Sequence, residues 1–174
     1  VDLPVHVVDS GTASFGISCG AWAAADARAA GAQISEAIDS AIATGRALRT
    51  SFVAGVPALV ERSGRADGVD VGGAAADGIP VLAMSGGDLM VLTTVDDLDG
   101  AVASMVDDAL GWPASSPAGR RLAVGTSDLS SRPLAAGLVE RLRGATGVAD
   151  VIEYRIGPSV GALTGPGTAG LFVF

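Results

Sequence analysis

No part of this chain leaves the backbone fewer choices than Ile156 to Phe172, which runs I-G-P-S-V-G-A-L-T-G-P-G-T-A-G-L-F. Proline fixes φ and glycine reaches conformations closed to other residues, so this ribbon must bend tightly and approach something closely before it enters a buried strand. Two readings follow from the residues alone. The ribbon is a crowded turn, or it is the wall of a narrow apolar cavity with Thr164 as its polar handle.

The rest of the chain alternates strand and helix signals. Val5 to Val8 reads as a strand that turns at Asp9-Ser10-Gly11. Cys19 to Ala30 and Ser35 to Arg46 read as helices, the second with Ile34, Ile38 and Ile42 on one face. Ser51 to Val53 is extended, and Pro57 to Arg62 is a short helix closed by Ser63-Gly64-Arg65. Ala66 to Gly78 holds almost no bulky residue and predicts a mobile loop. Ile79 to Met84 and Leu89 to Thr93 form a hairpin across Ser85-Gly86-Gly87-Asp88. A helix from Asp96 to Leu110, a Pro- and Ser-rich linker to Gly119 and a strand from Arg121 to Gly125 follow. The next helix is capped by Ser130 or Ser131 and carries Pro133 in its first turn, with Glu140 and Arg143 one turn apart on its surface. Val148 to Tyr154 is a strand, Gly157 to Gly167 a glycine-rich loop, and Leu171 to Phe174 the last strand. The pattern predicts one α/β domain over residues 1–174, a sheet of alternating strands and helices with one antiparallel hairpin.

With 174 residues, 49% hydrophobic and only 17% charged, the chain has material for one sizeable core. Its cations are all arginine, and a net charge of −8 is the wrong sign for a phosphate backbone, so nucleic acid is excluded as a natural partner. Asp, Arg, Gly or Ser interrupt every apolar run before it could span a membrane. A single cysteine, Cys19, cannot form an intramolecular disulfide, and no secretory signal is visible, so the cytoplasm is the expected compartment. The chain opens at Val1 without an initiator Met, which suggests a processed product, an expression fragment or part of a longer protein.

Few residues suit catalysis. His6, the sole histidine, sits in the expected first strand, and Cys19 lies in a small-residue run that suits packing better than nucleophilic work. No convergent set of His, Cys or carboxylates predicts a metal, and Asp96-Asp97-Asp99 reads as helix-start charge. Gly125 to Ser130, between a strand and a helix start, is a weak candidate for holding a phosphorylated substrate, because it lacks the Lys and Gly spacing of phosphate loops.

The tail resembles the closing signature of the DegV family, I-G-P-x-I-G-x-H-T-G-P-G-x-x-G. Val8-Asp9-Ser10 with Ser14-Phe15-Gly16 resembles that family's I-D-S-x-x-x-S-x-G block. Phe52 to Val60 with Ser63-Gly64-Arg65 resembles its short helix and G-G-R segment, and Ile79-Pro80-Val81-Leu82 its K-P-I-L strand. Gly119 to Leu142 is similar to its late βα unit. The likeness covers the later two-thirds of a member; the earlier lobe, with its T-S-Q-P-S-like motif, has no counterpart here.

The resemblance implies an EDD-type fold and a non-enzymatic carrier that holds a long-chain fatty acid in an apolar cleft. Arg65 takes the position of the family's arginine, Thr164 that of its threonine, and Leu163 that of its histidine, with Gly165, Ser14 and Phe15 nearby as further lipid-binding candidates. Leu163 removes one carboxylate contact, and Thr93-Thr94 replace basic residues after the hairpin. The resemblance further implies no cofactor beyond the fatty acid itself, and in some members a fatty-acid kinase subunit that receives the acid. A missing lobe would expose an apolar wall, so a homodimer or a partner chain is expected to cover it. Two other readings stay open: a degenerate or split relative acting as an interaction domain without ligand, and an enzyme using the Gly125 to Ser130 turn.

Overall fold

A computed structural model describes residues 5–114, 116 and 118–174. Helices α1 (Phe15–Ala29) and α2 (Ile34–Ala47) lead into β1 (Arg49–Val53). Helices α3 (Pro57–Arg62) and α4 (Val71–Asp77) precede the hairpin β2 (Ile79–Ser85) and β3 (Asp88–Val95), then α5 (Leu98–Gly111). The chain closes with β4 (Arg120–Thr126), α6 (Arg132–Leu142), β5 (Val148–Arg155), α7 (Pro158–Thr164) and β6 (Ala169–Val173). The six strands form one sheet in the order β3-β2-β1-β6-β4-β5.

The mixed α/β class is as expected, although antiparallel pairing reaches well beyond the hairpin. β1 pairs antiparallel with both β2 and β6, and β6 with β4; β4 and β5 are parallel, joined through α6. The hairpin turns on Gly86 (φ 60) and Gly87 (φ 94), the pair of positive φ values that a two-residue turn matched to strand twist demands.

Alternation along the strands sorts the sheet into two faces. One face presents Val53, Val81, Leu122, Val124 and Leu171 to Met105 on α5 and Leu138 and Leu142 on α6, the main core. The other face is covered in two pieces. At one side α1 lays Cys19, with Phe15 and Trp22 behind it, over Ala123, Phe172 and Phe174. At the other side Val60 of α3 and Val71 of α4 cover Leu82 and Ala54, with Phe52 beside them.

Several local expectations are corrected. Residues 5–8 form no strand, and Val5 and Val7 stand 85% and 96% exposed, because β-branched residues need a neighbouring edge to pair with and none runs alongside. The loop expected at Ala66 to Gly78 contains α4: the Asp70 carboxylate accepts the Gly73 N–H at 2.7 Å as a cap, and Val71 is fully buried as an anchor. The glycine-rich loop at the tail contains α7, begun by Pro158 and stopped by Gly165 at φ 84. Ser131 stands at the N-cap of α6, as expected, but its side chain makes no cap bond to that helix; it shares a capping box with Asp128 over the preceding turn, accepting the Asp128 N–H at 3.3 Å and donating to the Asp128 carbonyl at 2.9 Å. Helix α2 starts one residue early on a Gln33–Glu36 capping box, leaving Ile34 exposed. Helix α1 starts at Phe15, four residues before the expected Cys19. Arg143 pairs across to Glu153 at 3.2 Å and not with Glu140.

Candidate functional site

The two covers of the second sheet face do not meet. Between them lies a cleft of about 680 Å³, floored by the sheet and walled by the segment before α1, by α3, by the hairpin turn and by α7. One row of the floor is set by register: Leu82 of β2 pairs with Phe52, Phe52 with Gly170, Gly170 with Gly125, and Gly125 with Tyr154. Of the two glycines at the centre of that row, Gly170 opens on the cleft as a trough between Phe52 and the Tyr154 ring, whereas Gly125 lies beneath that ring. The adjacent row closes the trough with Phe172, beside Leu48.

The glycine-and-proline ribbon forms one wall. Its helix puts Val160, Leu163 and Thr164 on the cleft. The ribbon is tied down by backbone: the Val56 N–H donates to the Thr164 carbonyl at 2.9 Å, and the Gly55 N–H donates to the Thr168 hydroxyl at 3.0 Å. The Thr168 hydroxyl in turn lies 3.1 and 2.7 Å from the Thr164 and Gly165 carbonyls. The Thr164 hydroxyl donates to the Val160 carbonyl at 3.1 Å, so it faces any newcomer first as an acceptor.

Of the residues singled out from sequence, Ser14, Arg65, Leu163 and Thr164 line this cleft together. Gly165 does not: it is buried behind the wall, where an added Cβ would meet Val56 at 2.5 Å, and it borders a second hollow of about 580 Å³ with Asp128 and Arg155. Phe15 also stands outside, packed on the Tyr154 ring at 4.8 Å between centroids. Arg65 is exposed at the rim, and among the described residues no carboxylate pairs with it. Asp9 contributes one carboxylate to the same lining.

Tyr154 was not singled out from sequence, although the every-second-residue pattern of Ile152, Tyr154 and Ile156 would place it on the floor. Burial pushes its hydroxyl up to about 12, so it stays protonated, and the Ser14 hydroxyl donates to it at 3.4 Å. Ser14 holds φ 56, the one non-glycine positive φ among the described residues, at the corner where the chain enters α1.

The other chemical candidates offer little. Burial pushes the Cys19 thiol up to about 12, leaving it protonated and inert. His6 is exposed, away from the cleft. Among the described residues no group of three or more His, Cys, Asp or Glu converges as a metal site. At the Gly125 to Ser130 turn the anion position is already taken. Asp128 accepts the Ser130 N–H at 2.7 Å, the Ser130 hydroxyl at 2.6 Å and the Gly167 N–H at 2.8 Å, and these bonds hold its carboxyl down to about 2. A phosphate would meet a negative charge there. Among the described residues no helix is long and apolar enough to cross a membrane.

The fold is thus an open α/β sheet with a largely apolar cleft between two partial helical covers. Over residues 1–174 the chain matches the sequence model described as "Uncharacterised protein, DegV family". The chain belongs to the DegV family. A DegV domain-containing protein of Streptomyces coelicolor is 29% identical over 173 residues, covering 98% of this chain and 60% of that protein. Among solved structures, a DegV family protein of Ruminococcus gnavus superposes with a TM-score of 0.83 at 18% identity, covering 96% of this chain and 59% of its own. One from Thermus thermophilus, described by its fatty acid binding, gives 0.80 at 20% identity, covering 97% and 60%. This chain therefore spans about three-fifths of the length of the relatives it matches.

Proposed function

We propose that this chain binds a long-chain fatty acid in the cleft between the segment before α1, α3 and α7, as a carrier and not as an enzyme. The observation that carries the reading is the cleft itself: apolar along Leu48, Phe52, Val60, Leu89, Leu163 and Phe172, with Arg65 as an uncommitted cation at its rim. Relatives of the same fold were solved with vaccenic acid and with heptadecanoic acid, which supports the ligand class.

The energetics favour the tail over the head group. Each methylene moved from water contributes about 0.8 kcal/mol, whereas one charged hydrogen bond to a carboxylate contributes about 1.5–3 kcal/mol. Leu163 donates no hydrogen bond, so orientation falls to Arg65, with hydroxyls such as Ser159 on the same lining. The finer parts of the reading are that the acid is handed to a fatty-acid kinase subunit, and that a second copy or a partner chain covers the open side of the cleft. What supports them is the family resemblance and the share of its relatives' length, about three-fifths, that this chain spans.

Mass spectrometry of the purified protein should find a bound fatty acid, and Arg65→Ala should weaken binding of an added acid about tenfold while leaving the melting temperature in place. Absence of lipid together with no binding of any saturated acid from lauric to stearic overturns the reading. Unchanged affinity in Arg65→Ala removes that residue from the site. A monodisperse monomer by light scattering overturns the covering partner. The leucine at position 163 favours one second reading, a relative that has lost its ligand and acts as an interaction domain, which a lipid-free native mass spectrum would select.

A further inference from the structure

The floor of the cleft contains a contact that sheet pairing alone does not require. Gly125 and Tyr154 are register partners on parallel β4 and β5, and the phenol ring lies down across the glycine. A Cβ at position 125 would overlap the ring, lying 2.6 Å from both Cε1 and the hydroxyl oxygen of Tyr154. Gly125 is buried beneath the ring, while Tyr154 itself lines the cleft. The ring is boxed on its other sides by Phe15, 4.8 Å away between centroids, and Phe172, 6.4 Å away. A ring lifted off the sheet can therefore move only outward, into the space the cleft now keeps open.

We propose that the Gly125–Tyr154 pair gauges this cleft, the absence of a side chain at position 125 letting the Tyr154 ring lie flat and so setting how much acyl chain the trough accepts. The proposal rests on the fatty-acid reading above and adds to it the residues that decide chain length. Gly170, next in the same row, could not play this part, because a Cβ there would meet the Ser51 carbonyl at 2.8 Å and break the sheet itself. At position 125 the atoms nearest an added Cβ all belong to a side chain that can swing. Its effect is on ligand space and leaves the β4 backbone in place.

The test is a chain-length profile. Delipidated native protein, Gly125→Ala, Tyr154→Ala and the double variant are titrated with a series of saturated fatty acids from short to long. In the native protein affinity should rise about fourfold per methylene until the trough is full and then level off. Gly125→Ala should level off at a shorter acid, with a loss of about fourfold for each methylene excluded. Tyr154→Ala should level off at a longer one. In the Tyr154→Ala background the added methyl has no ring to lift, so the double variant should follow Tyr154→Ala. That non-additivity in chain length is a readout that a purely structural glycine would not move. If Gly125→Ala does not fold, the levelling point of Tyr154→Ala decides alone. Native binding with the same levelling point in every folded variant overturns the gauge and leaves the fatty-acid reading standing. No binding by the native protein overturns both.

Discussion

Asp128 shows how one side chain can hold a corner that glycine and serine composition only outlined. The Ser130 hydroxyl and then the Gly167 N–H hold its carboxyl at about 2 against an ordinary 3.8, and through Gly167 it ties the turn after β4 to the tail ribbon. A carboxylate with a depressed folded pKa adds stability that is complete above its unfolded value and lost as pH falls through the folded one. Asp128→Asn should therefore melt below the native protein at neutral pH, and the gap should close between about pH 3.8 and 2. Melting curves over that range check it, and a gap independent of pH would separate the effect from charge. Ser51 makes the opposite case. It is fully buried with no hydrogen-bond partner for its hydroxyl, so Ser51→Ala should raise unfolding free energy by about 1 kcal/mol in urea titrations. That the tail and turn would be special was legible in their glycines and prolines. That Asp128 carries the capping carboxylate of the turn, with Ser131 at the N-cap of α6 making no side-chain bond to that helix, was not, since serine and aspartate are equally good caps on paper and the approach of the Gly167 N–H favours the charged one.

Short helices are where composition misled. Helix α7 lies inside the stretch expected to be a loop, and the signals for it were present: proline at its first position and glycine just past its end. Its glycines masked a helical turn whose stability comes from docking on Gly55 and Val56, contacts remote in sequence. Gly165→Ala places a side chain at φ 84 and against Val56, and should cost about 2 kcal/mol or more in urea unfolding. Helix α4 is held by the Asp70 cap, by the Glu61 carboxylate accepting the Gly72 N–H, and by one buried valine. Asp70→Ala should cost about 1 kcal/mol and speed amide exchange within residues 71–77 while the central strands stay protected.

At the scale of the whole molecule the cleft exists because the second sheet face is covered from two sides by elements too short to meet. Space left open in a folded chain is available to a ligand that binds the folded state and not the unfolded one. A fatty acid at about one hundred times its Kd should add about 2.7 kcal/mol to folding, seen as a rise in melting temperature that grows with concentration. A flat response would show that the acid does not prefer the folded cleft. The same open face is what a covering copy or partner would occupy.

Alternating apolar runs, proline-started helices and the double-glycine hairpin are local properties, so the α/β class, nearly all the elements and the family resemblance could be read along the chain. Periodicity and turn chemistry act between residues a few positions apart, where sequence distance and spatial distance agree. The sheet order β3-β2-β1-β6-β4-β5, the trough over Gly170 between Phe52 and Tyr154, and the meeting of Ser14, Arg65 and Thr164 on one cleft join segments that lie far apart in the chain. Such contacts depend on which strands pair and in what register, and that choice is made by the packing of the whole core.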